Sequence, residues 1–316
     1  MASDGSGLRR VLLLVCLVLC VATLPRRAGA WGADGHHAAC LIAEPLLTPT
    51  TWKAVNSLLP ERANGSLASL CTWADDIKWM WKYHWTAPLH YIDTPDFLCR
   101  YDYDRDCHDQ HGQKGFCASG AINNFTSQLT NYELPKASRP LLTKTRASEY
   151  NLTEALLFLA HIVGDIHQPL HVGFTSDAGG NTITVHWYRR KTNLHHIWDT
   201  EMIVKAEDVY YNKSLSNMVD AIILNITNNW IGEAQLWGEC PKGEIACPDT
   251  YAAESIKLAC QYAYRNATPG STLADEYFLS RLPIVETRLA QAGVRLAAIL
   301  NRLFDTKSAS QRLASH

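Results

Sequence analysis

Histidine and aspartate recur in this chain at spacings that suit metal chemistry. The segment H-I-V-G-D-I-H-Q-P-L-H, residues 161–171, sets His161 and Asp165 four apart, so on a helix both project from one face. His171 follows Pro169, which ends a helix and lets the chain turn back toward the same place. A lone H-x-x-x-D is usually a packed histidine beside a surface carboxylate. Here the flanking residues are apolar, and a carboxylate with two imidazoles on a buried helix must find partners. The segment N-L-H-H-I-W-D repeats the spacing with His195 and Asp199. Further on, P-L-H-Y-I-D offers His90 and Asp93, W-A-D-D-I-K offers Asp75 and Asp76, and W-G-A-D-G-H holds Trp31 and His36. Mixed imidazole and carboxylate ligands without cysteine suit catalytic zinc, which keeps a position open for water. These clusters exceed what one ion needs. His37, His167 and His196 sit beside or between these residues.

The elements that must hold these residues read as mostly helical. Asn151 is a plausible N-cap, with Glu154 in the capping-box position. The apolar run Leu156, Leu157, Leu159, Ile162, Val163 follows, and Pro169 should end it. Pro283 opens a final amphipathic run through Leu289, Leu296 and Leu303. One strand is expected over Asn181–Tyr188, where T-I-T-V-H-W alternates. Residues 93–120 and 238–250 are rich in Cys, Gly and Asp or Pro and read as loops. The aromatic run W-M-W-K-Y-H-W, Trp79 to Trp85, reads as core. No repeat or linker divides the chain. We expect one compact, mainly α-helical domain with a few short strands over 31–304, and a flexible or processed tail over 305–316.

Of 316 residues, 47% are hydrophobic, which excludes a disordered chain. Val11 to Leu24 is too short to span a bilayer comfortably. With Arg9 and Arg10 before it and Ala28-Gly29-Ala30 after it, residues 1–30 read as a signal peptide cut before Trp31. The remainder has 25 Lys and Arg against 30 Asp and Glu, a formal charge of −5. Such a chain lacks the basic footprint that grips a phosphate backbone. A polyanionic substrate would need positive charge from elsewhere. Eight cysteines remain, and an even number in a secreted chain favours four disulfides. Spacing leaves their connectivity open. The preferred set is Cys40–Cys71, Cys99–Cys260, Cys107–Cys117 and Cys240–Cys247; the first would tie the amino-terminal metal segment to the Asp75 helix. Six sequons, at Asn64, Asn124, Asn151, Asn212, Asn225 and Asn266, suggest a glycoprotein of the secretory pathway, extracellular or vacuolar.

Taken in order, W-G-A-D-G-H, W-A-D-D-I-K, L-H-Y-I-D-T-P-D, A-H-I-V-G-D-I-H-Q-P-L-H, G-G-N and N-L-H-H-I-W-D resemble the trinuclear-zinc, single-strand-preferring nucleases. C-R-Y-D-Y-D-R-D-C-H-D and W-Y-R-R-K-T-N-L-H-H bring the sequence closest to their plant bifunctional branch, and the likeness covers the whole mature chain. The resemblance implies three zinc ions. One would use Asp75, His90, His161 and Asp165, and a second His171, His195 and Asp199. The third would use the Trp31 α-amine and carbonyl, His36 and Asp165, so that Asp165 bridges two ions; His37, His167 and His196 match no ligand position and would be supporting or surface residues. It also implies in-line attack on phosphorus by a metal-activated hydroxide. Products would be 5′-phosphorylated, from single-stranded RNA and DNA, with 3′-nucleotides as further substrates, and the protein would be a monomer. The family usually has Arg where this chain has Lys78, a point charge without the bidentate fork. Tyr91 and Asp93 match positions that stack on a base and bond its edge, and Asn181 would line the phosphate site. Bacterial zinc phospholipases C share a looser metal pattern, so a phospholipase is one alternative. A non-catalytic zinc-binding glycoprotein is another.

Overall fold

A computed structural model describes residues 31–132 and 150–313, with side chains described through Asp305. The expected signal segment, 1–30, lies outside the described residues. Helix α6 (Leu152–His167) forms the centre. Asn151 caps it, its side chain accepting from the Glu154 amide, and every residue from Ala155 to His167 is buried. A helix that is apolar nearly all round must be covered on every side. Around it pack α1 (Ala33–Ala43), α2 (Pro49–Leu58), α3 (Trp73–Ile77), α5 (Ala118–Leu129), α11 (Pro248–Leu258) and α12 (Asp275–Leu313). Helix α4 (Tyr103–Asp106) punctuates the first irregular stretch. On the α5 side, Phe125 stacks on Phe158 with ring centroids 4.9 Å apart.

Helix α12 departs from the sequence reading at both ends. Pro283 lies inside it rather than at its start, and it runs past Phe304 to Leu313. Proline ordinarily ends a helix because it lacks an N–H and clashes with the preceding turn. Here Tyr277, Phe278 and Leu282 are all buried ahead of Pro283, and that packing carries the helix across it. The strand is shorter than expected: β1 covers Thr184–Trp187. It pairs antiparallel with β2 (Arg190–Asn193) and parallel with β3 (Thr272–Leu273), in the order β2-β1-β3. The hairpin register places Thr184 opposite Asn193. Asn193 then caps α7 (Leu194–His196), accepting from the His196 amide. A π-turn, Ile197–Glu201, links α7 to α8 (Met202–Tyr210). Helices α9 (Leu215–Leu224) and α10 (Ile231–Gly238) complete the shell.

Four disulfides join Cys40 to Cys71, Cys99 to Cys260, Cys107 to Cys117 and Cys240 to Cys247. The first ties α1 to the residues just before α3. Among the six sequons, Asn225 is half-buried and accepts from Asn229; the other five asparagines are exposed. Trp79, Met80, Trp81 and Trp85 are exposed, so the aromatic run is not core. Its companions Tyr83, Thr86 and Leu89 supply the burial that fixes the segment, and these four face outward.

Candidate metal centre

Seven elements bring the histidines and aspartates together. Helix α6 supplies His161 and Asp165, the 3-10 turn after it His171, and α1 His36. Asp75 comes from α3, and His90 ends the 3-10 segment Trp81–His90. His195 and Asp199 come from α7 and its π-turn, an irregularity often found where a helix serves a site. The strands of chain at 90–94 and 171–175 run side by side, with the Ile92 amide on the His171 carbonyl at 2.7 Å and the Thr94 amide on Gly173 at 2.9 Å. That pairing fixes His90 beside His171.

Three groups result, each with ligand atoms close enough to share an ion: His36, His161 and Asp165; Asp75, His90 and His161; His171, His195 and Asp199. Ligand atoms around a tetrahedral zinc stand roughly 3.3 Å apart. His195 Nε2 is 3.2 Å from His171 Nε2 and 3.2 Å from Asp199 Oδ2. His161 Nε2 is 3.2 Å from His90 Nδ1 and 3.5 Å from Asp75 Oδ1. Asp165 reaches two groups, with Oδ1 3.2 Å from His36 Nε2 and Oδ2 2.9 Å from His90 Nδ1. Buried polar atoms without a hydrogen-bond partner gather here: both His36 nitrogens, His90 Nε2, Asp165 Oδ1 and Asp199 Oδ2. Orphaned buried groups are costly, and a shared cation would satisfy those that face one another. The residues fit metal ions.

Backbone carbonyls orient the rings. Nδ1 of His161 donates to Cys71 O at 2.6 Å, His171 Nδ1 to His90 O at 2.7 Å and His195 Nδ1 to Gly179 O at 2.7 Å. Each bond leaves Nε2 bare toward the centre. Electrostatics agree. Burial pushes His36 and His195 down to about 4, so both are neutral with free lone pairs near pH 7. Burial also pushes Asp199 up to about 7. Burial opposes a charge on His161 most strongly, yet Asp165 and Asp75 push that ring up to about 10. Asp165, desolvated as it is, is held well below the usual carboxylate range by His161.

The centre opens on a cavity of about 1000 Å³, with His90, His171 and His195 in its lining. Lys78, Tyr91, Asp93 and Asn181 line it too. Lys78 Nζ donates to Asp75 Oδ1 at 2.7 Å. Burial pushes Asp93 up to about 6, and the Asn181 amide donates to Ala178 O at 2.9 Å. Asp76 is exposed and joins none of the three groups. Trp31 is fully buried, and the next amide, Gly32 N, donates to Asp199 O at 2.7 Å.

The S1/P1 nuclease family model matches residues 31–305, which contain every one of these groups. The chain belongs to the S1/P1 nuclease family. It is therefore an endonuclease acting on nucleic acids. Endonuclease 4 of Arabidopsis thaliana is 56% identical over 290 residues, covering 92% of this chain and 94% of that protein. Endonuclease 2 of the same plant is 54% identical over 302 residues, covering 96% and 99%. Nuclease S1 of Aspergillus oryzae is 34% identical over 283 residues, covering 86% and 91%.

Several residues of this S1/P1 nuclease centre escaped sequence reasoning. Gln168 is fully buried, its Nε2 donating to Asp199 Oδ1 at 2.6 Å while its Oε1 accepts from the Leu170 amide. Gly164 lets His36 lie flat on His161, ring centroids 3.7 Å apart, because a Cβ there would sit 2.8 Å from His36 Nδ1. Gly179 has φ +62, and a Cβ would come 2.3 Å from the Leu170 carbonyl. The one available signal was the motif itself: Gly164 sits between two apolar turns of a helix, where glycine otherwise costs stability. Of the histidines set aside earlier, His167 is buried and takes Arg295 Nη1 at 2.9 Å, while His196 faces Glu201 at 3.2 Å.

Proposed function

We propose that this chain is a secreted, zinc-dependent endonuclease that cleaves single-stranded RNA and DNA to 5′-phosphorylated products and also hydrolyses 3′-nucleotides. The observation that carries this reading is that two of three adjoining His/Asp groups open, through His90, His171 and His195, onto one cavity that also bears Lys78, Tyr91 and Asp93, while the third, fully buried, shares His161 with one of them. Asp75, His90, His161 and Asp165 would hold one zinc, and His171, His195 and Asp199 a second. Trp31, through its α-amine and carbonyl, His36 and Asp165 would hold the third. Zinc bound there supplies Lewis-acid charge to phosphoryl oxygens and brings the pKa of water toward neutrality.

The chain's own residues do the rest. Lys78, tethered by Asp75, keeps a cation at the cavity wall where phosphoryl oxygens would lie. Tyr91 offers a ring for a base, and stacking tolerates any base while requiring that it be unpaired. Asp93 accepts from a base edge when ionised. Asn181 lines the phosphate end. Three divalent ions held by these residues would supply the positive charge that an acidic chain lacks. Four disulfides suit an oxidising compartment, and no helix among the described residues is long and apolar enough to cross a membrane. The test is end-group analysis after digestion of heat-denatured and native DNA. Products with 5′-phosphate and 3′-hydroxyl ends, formed faster from denatured DNA, are expected. 3′-Phosphate ends, or hydrolysis of phosphatidylcholine in place of nucleic acid, would overturn the reading.

A further inference from the structure

The segment between Lys78 and His90 carries an exposed aromatic ridge. Trp81 is 90% exposed, Trp79 and Met80 57% each, and Trp85 51%. Loose folding does not account for it. Tyr83 donates to Glu154 at 2.9 Å, Thr86 Oγ1 donates to Tyr83 O at 2.7 Å, and Leu89 is buried, so the backbone is pinned while the indoles stay in water. Exposed apolar groups gathered in one place mark binding surfaces. Two further observations say what binds. Both ends of the segment line the cavity, Lys78 and Trp79 at one end and Ala87 and His90 at the other. The ridge is thus a continuation of the cavity rim. Cations also alternate with the rings: Lys78 Nζ lies 5.6 Å from the Trp79 ring, and Lys82 Nζ lies 4.8 Å from the Tyr83 ring.

We propose that this ridge is a stacking platform for the part of the single strand lying outside the cleavage cavity. The reading rests on the nuclease function proposed above. A strand leaving the cavity must cross its rim. On this rim its bases meet indole faces, and its phosphates meet Lys78 and Lys82. Aromatic rings interleaved with cations are how sequence-tolerant single-strand binding is built. The platform gives polymer an advantage over mononucleotide without touching the reacting phosphate.

The experiment compares a thymidine oligonucleotide of about 20 residues, an abasic strand of the same length and a 3′-nucleotide, using the zinc-loaded glycoprotein. With Trp81→Ala/Trp85→Ala, KM for the oligonucleotide should rise roughly 5- to 100-fold. Hydrolysis of the 3′-nucleotide should be unchanged, and the abasic strand should respond little. Trp81→Phe should restore much of the loss. Unchanged KM for the oligonucleotide would overturn the platform. So would loss of binding to phosphatidylglycerol vesicles with strand cleavage intact, which would make the ridge a membrane contact. A wild-type protein that cleaved no strand would instead fail the nuclease reading and take the platform with it.

Discussion

Asp165 and His36 meet through a single oxygen: Oδ1 lies 3.2 Å from Nε2, leaving Oδ2 for His90 and His161 at 2.9 and 3.3 Å. One carboxylate therefore serves two groups. Asp165→Asn keeps the shape but offers one oxygen and removes a charge. It should cost more than one zinc per chain and lower kcat/KM by at least about 10³-fold, the scale of a lost metal-held catalytic group. Metal analysis beside a nuclease assay checks this, and a variant with three zincs and normal turnover would remove the bridge.

Gly164→Ala separates site geometry from helix propensity. In an ordinary helix the change stabilises by about 1 kcal/mol. Here the new methyl would stand 2.8 Å from His36 Nδ1, so the ring must leave its stack on His161. The variant should lose the zinc assigned to His36, with at least a tenfold drop in activity and no gain in Tm. A more stable, fully active protein would show that His36 has room to spare.

The proposed cleavage before Trp31 is itself testable. Trp31 is buried at the site, with Gly32 bonded to the Asp199 carbonyl. An α-amine can ligate zinc only when free and deprotonated, and its usual pKa is about 7.7–8.0. A secreted protein carrying one extra residue before Trp31 should keep its four disulfides and lack one zinc. Its activity should fall by orders of magnitude. Full activity with three zincs would take Trp31 out of the ligand set.

Substrate affinity should carry a pH signature from Asp93. Burial, with Asp177 adding to it against the pull of His108, pushes this carboxyl up to about 6. Above that value it is ionised and, in the proposed role, would accept from a base; as pH falls through 6 it takes up a proton and would lose that role. One such titration predicts a KM for oligonucleotides about 10-fold higher at pH 5 than at pH 7. Asp93→Asn should raise KM at pH 7 and flatten this dependence. An identical slope in the variant would exclude Asp93.

Ligand types and their helical spacing were legible because His161–Asp165 and His195–Asp199 depend only on a local period. His36, Asp75 and His90 stood out as further clusters, and the resemblance grouped them with the helix pairs, from which they lie far apart in sequence. Gln168 apart, what escaped has no side-chain mark. The carbonyls of Cys71, His90 and Gly179 orient three imidazoles, yet any residue has a carbonyl. Strand β2, R-K-T-N, shows no apolar alternation because β1 sets its register. Composition alone could not tell that Trp79, Trp81 and Trp85 face out, since the same rings would serve a core equally well. Pro283 misled because the packing that carries α12 across it comes from distant elements.

Dependence of cleavage on three zinc ions is tested by stepwise reloading of metal-stripped protein with zinc, measuring bound zinc and cleavage of denatured DNA together. The stripped protein should cleave nothing, and binding should saturate at three ions per chain. Activity should be restored fully only as the last ion binds. Full cleavage by protein holding no metal, or saturation at a single ion with complete activity, would contradict that dependence.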